Sequence, residues 1–378
     1  MSHPSTGLGP GVFLALVLPL LGSCSLVAEE DFPPLARTAS GPLLSAGLIY
    51  DLENRPTPQC HASTIVETGS GLVAAWFGGR HEKSADVGIW VSRHDGKNWG
   101  RPVRVASGAE GEDREYPCWN PVLFKPEVSG DRSGEAPLLL FYKVGPSPNK
   151  WWGMMMTSRD DGRTWEHRHK LGKDARIGHL LGPVKNKPIQ LKDGSILCGS
   201  SSEHAGWRVH FERTTDLGRT WEVIGPIHDG RDFGAIQPSI LRYADGRLQI
   251  LCRSRQGVIA QSWSGDEGRT WSRMKATELP NPSAGTDAVT LRDGRQLLVY
   301  NHTTKRSKPR SREMLNVAIT GDGEHWEVVM TLERREGEFS YPAVIQSRDG
   351  MVHITYTYLR RSVKHVVLDP AKLKRSGS

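Results

Sequence analysis

Short apolar runs, each entered through a tight turn, recur along most of the chain. The turn is usually Asp-Gly, which favours the backbone conformations of a hairpin, and the run after it is rich in Leu, Ile and Val, as a buried strand requires. No segment of appreciable length shows the apolar periodicity of a helix. The pattern predicts an all-β protein with six hairpins, at residues 71–76, 137–141, 193–197, 245–250, 293–298 and 349–354.

A second repeat interleaves with the hairpins and reads Ser/Thr-x-Asp-x-Gly-x-Thr-Trp. Its Asp and hydroxyl side chains can bond nearby backbone amides, its Gly supplies a positive φ, and its Trp packs the turn onto the sheet. Full copies lie at 158–165, 214–221 and 264–271, and weaker ones at 92–99 and 320–326. The starts at residues 92, 158, 214, 264 and 320 lie 50 to 66 residues apart, a spacing that indicates the blades of a β-propeller.

The two repeats together predict one domain, a six-bladed β-propeller at residues 45–370, followed by a tail at 371–378. The sixth hairpin has no copy of the second repeat, and one apolar run, 363–368, follows it. We therefore expect the segment 47–50 to supply the missing outer strand of the last blade. Closing the ring in this way removes the exposed sheet edges.

The first 24 residues have the features of a signal peptide. Residues 12–21 form an apolar run that is too short to span a bilayer. The run leads into Leu-Gly-Ser-Cys24, which resembles a bacterial lipobox and implies lipidation of Cys24 after cleavage. We expect export to the periplasm or the cell surface, a tether at 25–44, and membrane contact only through a lipid anchor on Cys24.

Charge and composition narrow the partner classes. The net charge of +7 suits an anionic ligand. Lys and Arg are scattered without interleaved aromatic residues, which argues against nucleic acid. We expect neither a cofactor nor a metal site, because the chain has no Gly-rich phosphate loop and no metal-ligand spacing. Export permits disulfides, although buried free thiols are an equal alternative; the cysteines concerned are Cys60, Cys118, Cys198 and Cys252.

The strand before each hairpin begins with a polar side chain that is usually followed by Pro or Ala. The innermost strands of a propeller converge on its central funnel, where ligands usually bind. If these positions only maintained the structure of the repeat, they would carry similar residues. Here all six residues differ. We therefore predict that they line a binding site; the set is His61, Asn120, Lys187, Gln237, Asp287 and Tyr341.

The second repeat is identified as the Asp box of the sialidase (neuraminidase) superfamily, known in bacterial members as the BNR repeat. The box is structural, so it implies the fold and not an activity. The strand that Tyr341 opens is similar to the last-blade strand that carries the Tyr nucleophile of sialidases. A neutral phenol suits that role because the substrate carboxylate would repel an anionic nucleophile. The resemblance implies Tyr341 as nucleophile and Asp86 as general acid/base, with Glu82 as a competing candidate.

Sialidases also hold the substrate carboxylate with three arginines, whose planar forks match it. The resemblance implies Arg312 as the third of these and Arg253 or Arg255 as the second. His61 stands where the family has the first arginine, in an Arg-Ile-Pro motif that this chain lacks. Arg80 is a further candidate contact.

A second departure concerns the base that deprotonates the Tyr. Sialidases use a Glu, and the aligned residue here is Gln237, which cannot be a base. Asp287 and Glu203 are candidates for a relocated base. The resemblance implies an exo-acting glycosidase whose partner is a glycan with an acidic terminal sugar, sialic or a related ulosonic acid. Two alternatives stay open: a polysaccharide lyase that uses His61, and a non-catalytic glycan-binding propeller.

Overall fold

The computed structural model describes residues 1–2, 35–38, 41–111, 114–127, 136–304 and 309–373. The lipobox with Cys24, almost all of the expected signal peptide, and most of the expected tether and tail lie outside the described residues. The compact unit that begins at residue 33 consists of strands and one short 3-10 turn, Pro370–Lys372, in its described part. Among the described residues, no helix has the length and apolar character needed to cross a membrane.

Six four-stranded antiparallel sheets form the blades, so the predicted all-β, six-bladed propeller is confirmed. The first strand among the described residues, β1 (Leu43–Leu48), belongs to the last blade. Blade 1 follows with β2 (Gln59–Thr68), β3 (Gly71–Gly79), β4 (Gly88–His94) and β5 (Val103–Ala106). After the hairpin β6 (Ala109–Glu110) and β7 (Arg114–Glu115), blade 2 contains β8 (Cys118–Phe124), β9 (Leu138–Val144), β10 (Trp152–Ser158) and β11 (Glu166–Lys170).

The remaining blades follow in the same order after a second hairpin, β12 (Lys173–Asp174) and β13 (Gly178–His179). Blade 3 contains β14 (Ile189–Gln190), β15 (Ile196–Ser202), β16 (Arg208–Thr214) and β17 (Glu222–Ile224). Blade 4 contains β18 (Ala235–Arg242), β19 (Leu248–Ser254), β20 (Val258–Ser264) and β21 (Lys275–Pro280). Blade 5 contains β22 (Asp287–Thr290), β23 (Gln296–Tyr300), β24 (Met314–Thr320) and β25 (Glu327–Arg334). Blade 6 contains β26 (Phe339–Gln346), β27 (Val352–Tyr358), β28 (Ser362–Leu368) and β1.

The second strand of a blade explains the apolar runs of the sequence. Strands β9, β15 and β23 are buried at every residue. Each packs against the neighbouring blades on both faces of its sheet, so apolar residues are favoured at successive positions and not only at alternate ones. The core is therefore a set of apolar layers between blades. One such layer joins residues of blades 1 and 2, and another joins residues of blades 5 and 6.

Strand β1 closes the ring. It pairs antiparallel with β28, from Leu43 opposite Leu368 to Leu48 opposite Lys364. The N-terminal segment therefore supplies the outer strand of blade 6, as the sequence predicts, although the strand is Leu43–Leu48 and not residues 47–50. The strand begins at Leu43, slightly before the expected domain boundary at residue 45.

The Asp boxes are turns held by their own side chains. In the box at 214–221, the Asp216 carboxylate accepts from the Thr220 amide at 2.9 Å and from the Thr220 hydroxyl at 2.7 Å. The Thr214 hydroxyl accepts from the Gly218 amide at 2.8 Å, and Gly218 has φ +93°. The Trp221 indole donates to the Gly218 carbonyl at 3.0 Å. The carboxylate and hydroxyl bonds recur in the boxes at 158–165 and 264–271.

The divergent box at 92–99 differs, because its indole bonds to another blade. Trp99 Nε1 donates to His365 Nδ1 at 3.2 Å. An indole can only donate, so His365 carries its proton on Nε2 and donates it to His353 Nδ1, 3.0 Å away. His353 Nε2 then donates to the Ser347 hydroxyl at 3.0 Å, and Ser347 donates to Asp349. This histidine chain links blade 1 to blade 6 with one fixed direction of donation.

The four cysteines of the described chain are free and buried, so the free-thiol alternative holds. Cys60 and Cys118 lie in innermost strands, and Cys198 and Cys252 lie in the second strands of their blades. Burial raises the pKa of the Cys60 and Cys118 thiols to about 12, which keeps both protonated and unreactive at neutral pH.

Candidate functional site

A β-bulge interrupts four of the innermost strands where they reach the funnel. Asn120, Gln237 and Tyr341 occupy its first position, each with positive φ (37°, 59° and 52°) and each followed by Pro. In blade 1 the same position is Ala62, with φ 55°, so His61 lies one residue before it. The sequence analysis treated His61 as equivalent to Asn120, Gln237 and Tyr341. The equivalent residue of blade 1 is Ala62, one position later.

Lys187 and Asp287 do not share this bulge position. Lys187 Nζ lies 3.0 Å from Asp287 Oδ2, and Asp287 is only 2 % exposed. The same carboxylate accepts from the Ser239 hydroxyl at 3.0 Å and from the Val344 amide at 2.9 Å. Asp287 therefore ties blades 3 to 6 together. Both of its oxygens accept these contacts, so the structure gives the predicted base role of Asp287 no support.

Tyr341 lies at the centre of a group of cations. Its Oη accepts a 2.7 Å hydrogen bond from Arg253 Nη1. The Arg312 guanidinium carbon is 5.2 Å from the centroid of the Tyr341 ring, and Lys185 Nζ is 5.9 Å from it. The imidazole of His61 packs against the same ring, with 4.1 Å between centroids. The site thus presents a phenol, 7 % exposed, surrounded by positive charge.

Glu338 and Arg360 complete this group, and the sequence analysis missed both. Glu338 accepts from Arg312 Nη1 at 2.6 Å and from Arg360 Nε at 2.8 Å. Arg360 Nη2 lies 3.5 Å from His61 Nε2, and its Nη1 is 2.5 Å from Glu82 Oε2. A third arginine therefore reaches the position at which the resemblance places an arginine and the chain has His61.

We call Arg253, Arg312, Arg360 and Lys185 the cationic cup. Burial raises the pKa of the Glu338 carboxyl, but Arg312 and Arg360 outweigh that effect, so its pKa lies below the ordinary value and it stays anionic. Lys185 donates from Nζ to the Thr286 carbonyl at 2.7 Å and to the Pro342 carbonyl. Burial lowers the pKa of Lys185 to about 7, against the opposing effect of Asp287.

His61 is a neutral imidazole in this arrangement. Burial lowers the pKa of His61, and Arg360 and Arg312 lower it further, so it lies well below the ordinary value. A guanidinium can only donate, so the 3.5 Å contact with Arg360 makes Nε2 an acceptor. The proton then resides on Nδ1, which is 2.9 Å from the Thr357 hydroxyl.

Gln237 adjoins Tyr341 but contributes no base. A Cβ built on Gly285 would lie 3.2 Å from Gln237 Oε1 and 3.3 Å from two ring carbons of Tyr341, so the two side chains converge there. The Gln237 Oε1 atom is buried and accepts no hydrogen bond in the described structure. The oxygen of this side-chain amide therefore lies at the funnel without a hydrogen-bond partner among the described residues.

Glu203 lies behind Arg253. The Trp207 indole donates to Glu203 Oε2 at 3.0 Å, and the guanidinium carbons of Arg253 and Arg255 are 4.8 Å and 4.5 Å from the Trp207 ring. Of the two arginines, Arg253 contacts Tyr341, whereas Arg255 packs on Trp207. Burial raises the pKa of the Glu203 carboxyl, although both arginines oppose the shift.

The loop between β3 and β4 carries the two acid/base candidates. Asp86 Oδ2 accepts from the Arg80 amide at 2.9 Å, and its Oδ1 is 3.6 Å from Arg80 Nε. Arg80 is largely exposed and its side chain contacts this loop. Glu82, in contrast, is joined to the cationic cup through Arg360. Within the described ranges, no group of three His, Cys, Asp or Glu residues could hold a metal ion.

Comparison with known proteins gives a family and a fold. The model of the family described as "BNR repeat-like domain" matches residues 70–354. No curated protein sequence matches the chain significantly. Among solved structures, a protein of unknown function from Dyadobacter fermentans superposes with a TM-score of 0.70 at 16% identity, covering 86% of this chain and 98% of its own.

Two sialidases superpose similarly. The Hadza microbial sialidase Hz136 has a TM-score of 0.69 at 18% identity and covers 86% of this chain and 69% of its own. The intramolecular trans-sialidase from Ruminococcus gnavus, solved with oseltamivir carboxylate, has a TM-score of 0.66 at 14% identity and covers 89% of this chain and 100% of its own. At these identities the likeness concerns the fold. The family match spans most of the propeller, and the chain belongs to the BNR repeat-like domain family, with the six-bladed architecture of the sialidases.

Proposed function

We propose that this protein is an exo-acting glycosidase that hydrolyses the bond to a terminal acidic sugar, sialic or a related ulosonic acid, through Tyr341. The observation that carries the proposal is the 2.7 Å hydrogen bond from Arg253 to Tyr341 Oη within the cationic cup. A phenol surrounded by cations suits a substrate whose reacting carbon stands beside a carboxylate, because the same cations bind that carboxylate and orient the carbon.

The charge balance of the cup supports an anionic ligand. The cup contributes three guanidinium groups and one buried amine, against the carboxylates of Glu338 and Glu82. Glu338 holds Arg312 and Arg360 in place from one side, so their remaining donors need not reorganise when a carboxylate binds. Guanidinium forks and a carboxylate form short, charge-assisted hydrogen bonds, each worth about 1.5–3 kcal/mol.

In the proposed reaction, Tyr341 Oη bonds to the anomeric carbon while the bond from that carbon to the leaving oxygen breaks. Asp86 or Glu82 donates a proton to the leaving oxygen and then takes one from the water that releases the sugar from Tyr341. The phenol proton has to leave as the first bond forms. Since Gln237 cannot accept it, Glu203 is our candidate for the acceptor.

The test is sugar release by the purified chain without its first 24 residues, from fluorogenic glycosides of sialic, other ulosonic and uronic acids. Tyr341→Phe should lower turnover by about a thousandfold or more, because it removes the nucleophilic oxygen and keeps the ring. Tyr243→Phe is the matched control, since its hydroxyl bonds Gln249 and not a member of the cup. Full activity of the folded Tyr341→Phe variant would overturn the mechanism.

A second candidate function is elimination by a polysaccharide lyase. It is favoured by the neutral imidazole of His61, whose ring packs 4.1 Å from that of Tyr341. To take a proton from a sugar carbon, His61 Nε2 has to give up its 3.5 Å contact with Arg360, because Nδ1 already carries a proton. An unsaturated product that absorbs in the near ultraviolet, lost in His61→Asn, would identify the lyase. Binding of an acidic sugar without turnover, unchanged in Asp86→Asn, would instead indicate a binding propeller.

We also propose that the chain acts outside the cytoplasm, anchored through a lipid on Cys24. The support is the sequence of its first 24 residues. Expression of the full chain with a labelled fatty acid is the test. Label in the wild type and its loss in Cys24→Ala are the expected results, and a cytoplasmic, unlabelled protein would contradict the proposal.

A further inference from the structure

The loop between β3 and β4, residues 80–87, is joined to the cationic cup by one side chain. Glu82 Oε2 lies 2.5 Å from Arg360 Nη1, and this ion pair links blade 1 to blade 6. The other hydrogen bonds that residues 80–86 make in the described structure stay within blade 1. The loop that carries both acid/base candidates is therefore released from the cup if one ion pair exchanges its partner.

A strained turn holds Arg360 in place. Leu359 and Arg360 lie between β27 and β28, and each has φ 54°. Residues other than Gly, Asn and Asp adopt this left-handed conformation at a cost, and such strain concentrates at functional sites. Two backbone hydrogen bonds hold the turn, from the Leu359 amide to the Glu338 carbonyl at 2.7 Å and from the Cys60 amide to the Arg360 carbonyl at 2.8 Å. The backbone thus fixes the position of Arg360 independently of Glu82.

Two carboxylates of the protein already bind Arg360. Its Nε donates to Glu338 at 2.8 Å, and its Nη1 lies beside Glu82. The other arginines of the cup are less occupied: in the described structure, Nη2 of Arg253 and both Nε and Nη2 of Arg312 make no hydrogen bond. A ligand carboxylate can therefore bind Arg253 and Arg312 as they stand, but one partner of Arg360 has to give way to it.

Glu82 is the partner that can leave. The Glu338 carboxylate bonds to two guanidinium groups, those of Arg312 at 2.6 Å and Arg360 at 2.8 Å. Glu82 bonds to Arg360 alone, and its side chain is 34 % exposed, so water can solvate it after release. A ligand carboxylate in the cup contacts several arginines together. It therefore competes effectively with a carboxylate that contacts a single arginine.

We propose that Glu82 is a gate residue: in the free protein its carboxylate occupies the place on Arg360 that the carboxylate of the acidic sugar takes on binding. The exchange frees the loop between β3 and β4. Asp86, which in the free protein accepts from the Arg80 amide of its own loop at 2.9 Å, then gives its proton to the leaving oxygen. This inference rests on the proposed function for the identity of the ligand, and it assigns the proton transfer to Asp86 and not to Glu82.

The first test is binding of sialic acid and of its methyl ester, each titrated by ligand-observed NMR. Glu82→Gln should tighten binding of the acid about fivefold, because a partly exposed ion pair no longer competes, and leave the ester unchanged. Arg360→Gln should weaken binding of the acid. Asp86→Asn is the charge-matched control, since it removes a carboxylate from the same loop that does not contact Arg360. Unchanged affinity in Glu82→Gln, or equal tightening in Asp86→Asn, would overturn the gate.

Turnover distinguishes a gate residue from a proton donor. On a fluorogenic glycoside of sialic acid, Glu82→Gln should lower KM and keep kcat. Loss of a proton donor would instead lower kcat by about 100-fold or more. A fall of that size in Glu82→Gln would contradict the assignment of Glu82.

Hydrogen exchange tests the gate without any sugar. The Ser84 amide donates to the His81 carbonyl at 3.0 Å and the Val87 amide to the Ser84 carbonyl at 3.1 Å, so both amides report opening of the loop. Glu82→Gln and Arg360→Gln should both speed this exchange, although they change the affinity for sialic acid in opposite directions. Unchanged exchange in both variants would overturn the gate and leave the glycosidase intact. Faster exchange in a chain that binds no acidic sugar would support the gate and count against the proposed function alone.

Discussion

The outer turns and the central funnel of this propeller satisfy their polar groups in opposite ways. In the Asp box at 214–221, the side chains of Thr214, Asp216 and Thr220 bond to atoms of the same turn. In the funnel, partners come from different blades: Arg253 of blade 4 meets Tyr341 of blade 6, and Glu82 of blade 1 meets Arg360 of blade 6. Local bonds can be copied from blade to blade, whereas contacts between blades cannot.

The difference indicates where stability and chemistry reside. A box stabilises its own hairpin, because its carboxylate and its bonded hydroxyl groups are used within the turn. The cup leaves positive charge in excess, which a protein tolerates when a ligand is to complete it. Substitutions should therefore separate into those that lower stability and spare binding, and those that do the reverse.

The largest effect is expected in the funnel. Arg253→Ala should lower kcat/KM for acidic-sugar glycosides about 100-fold, because it removes charge-assisted bonds both to the ligand and to Tyr341. The midpoint of thermal unfolding should change little. Arg255→Ala is the matched control, since Arg255 packs on the same Trp207 ring without touching Tyr341. Equal losses in the two variants would contradict the assignment of Arg253.

The next effect belongs to the outer turns. Asp216→Ala should lower the free energy of unfolding by about 2 kcal/mol, since a carboxylate that accepts several bonds is lost. Activity at a temperature where the variant stays folded should be unchanged. Asp95→Ala in the divergent box should cost less, because Asp95 accepts from the backbone amides of Lys97 and Asn98 without a hydroxyl contact in the described structure. Denaturant titration measures the free energy of unfolding of both variants. If Asp216→Ala lost activity without losing stability, the contrast between the outer turns and the funnel would be wrong.

The histidine chain predicts a pH dependence in mild acid. Burial lowers the pKa of His365 to about 3 from an ordinary value of 6.5, and it lowers that of His353 as well; His94 and Asp349 are the other titratable groups that face them. Below pH 6.5 the unfolded chain binds a proton that the folded chain does not. Stability is therefore complete above pH 6.5 and falls as the pH drops towards 3, by about 2 kcal/mol at pH 5 for His365.

The variant His365→Gln measures this contribution. It should be less stable than the wild type at pH 7 but lose less stability between pH 7 and pH 5. His325→Gln is the control of opposite sign, because the Asp322 carboxylate raises the pKa of the exposed His325. If the free energy of unfolding of His365→Gln depends on pH as steeply as that of the wild type, His365 is not the source of the pH dependence.

The smallest effect tests whether the divergent box joins two blades. Trp99→Phe should cost about 1 kcal/mol, the worth of one hydrogen bond, and it should also alter the pH dependence because His365 loses its donor. Trp221→Phe should cost a similar amount at pH 7 and leave the pH dependence unchanged, since its indole bonds within its own turn. Thermal unfolding at pH 7 and pH 5 compares them.

The fold could be predicted because its signals are local and repeated. A box needs only eight adjacent residues to form its bonds, so its chemistry is visible in the sequence. The sequence pattern of blade 6 lacked an outer strand, and this predicted that the N-terminal segment supplies it, as β1 does. Tyr341, Arg253, Arg312 and His61 lie together in the funnel. The sequence analysis selected them because the resemblance gave each a place in or just before a strand, and their roles stay predictions.

The rest of the site depends on contacts that no repeat encodes. Arg360 and Glu338 lie outside the innermost strand positions that were compared, and nothing in their neighbourhood repeats. Lys187 was chosen because Pro188 follows it, as Pro follows the true bulge residues. The residue with positive φ just before the innermost strand of blade 3 is Lys185, two positions earlier, and the residue type does not reveal this backbone conformation.

The pairing of β1 with β28 also sets an order of events. Strand β1 is synthesised before the other blade strands but finds its partner only when β28 has been made, since Leu43 lies opposite Leu368. Until then β1 has no neighbour, and its small residues Ser45, Ala46 and Gly47 limit the apolar surface that it exposes. Contacts between such distant parts of a chain form slowly. We therefore expect ring closure to be the last step of folding, and truncation at either end to leave five complete blades and one that cannot finish.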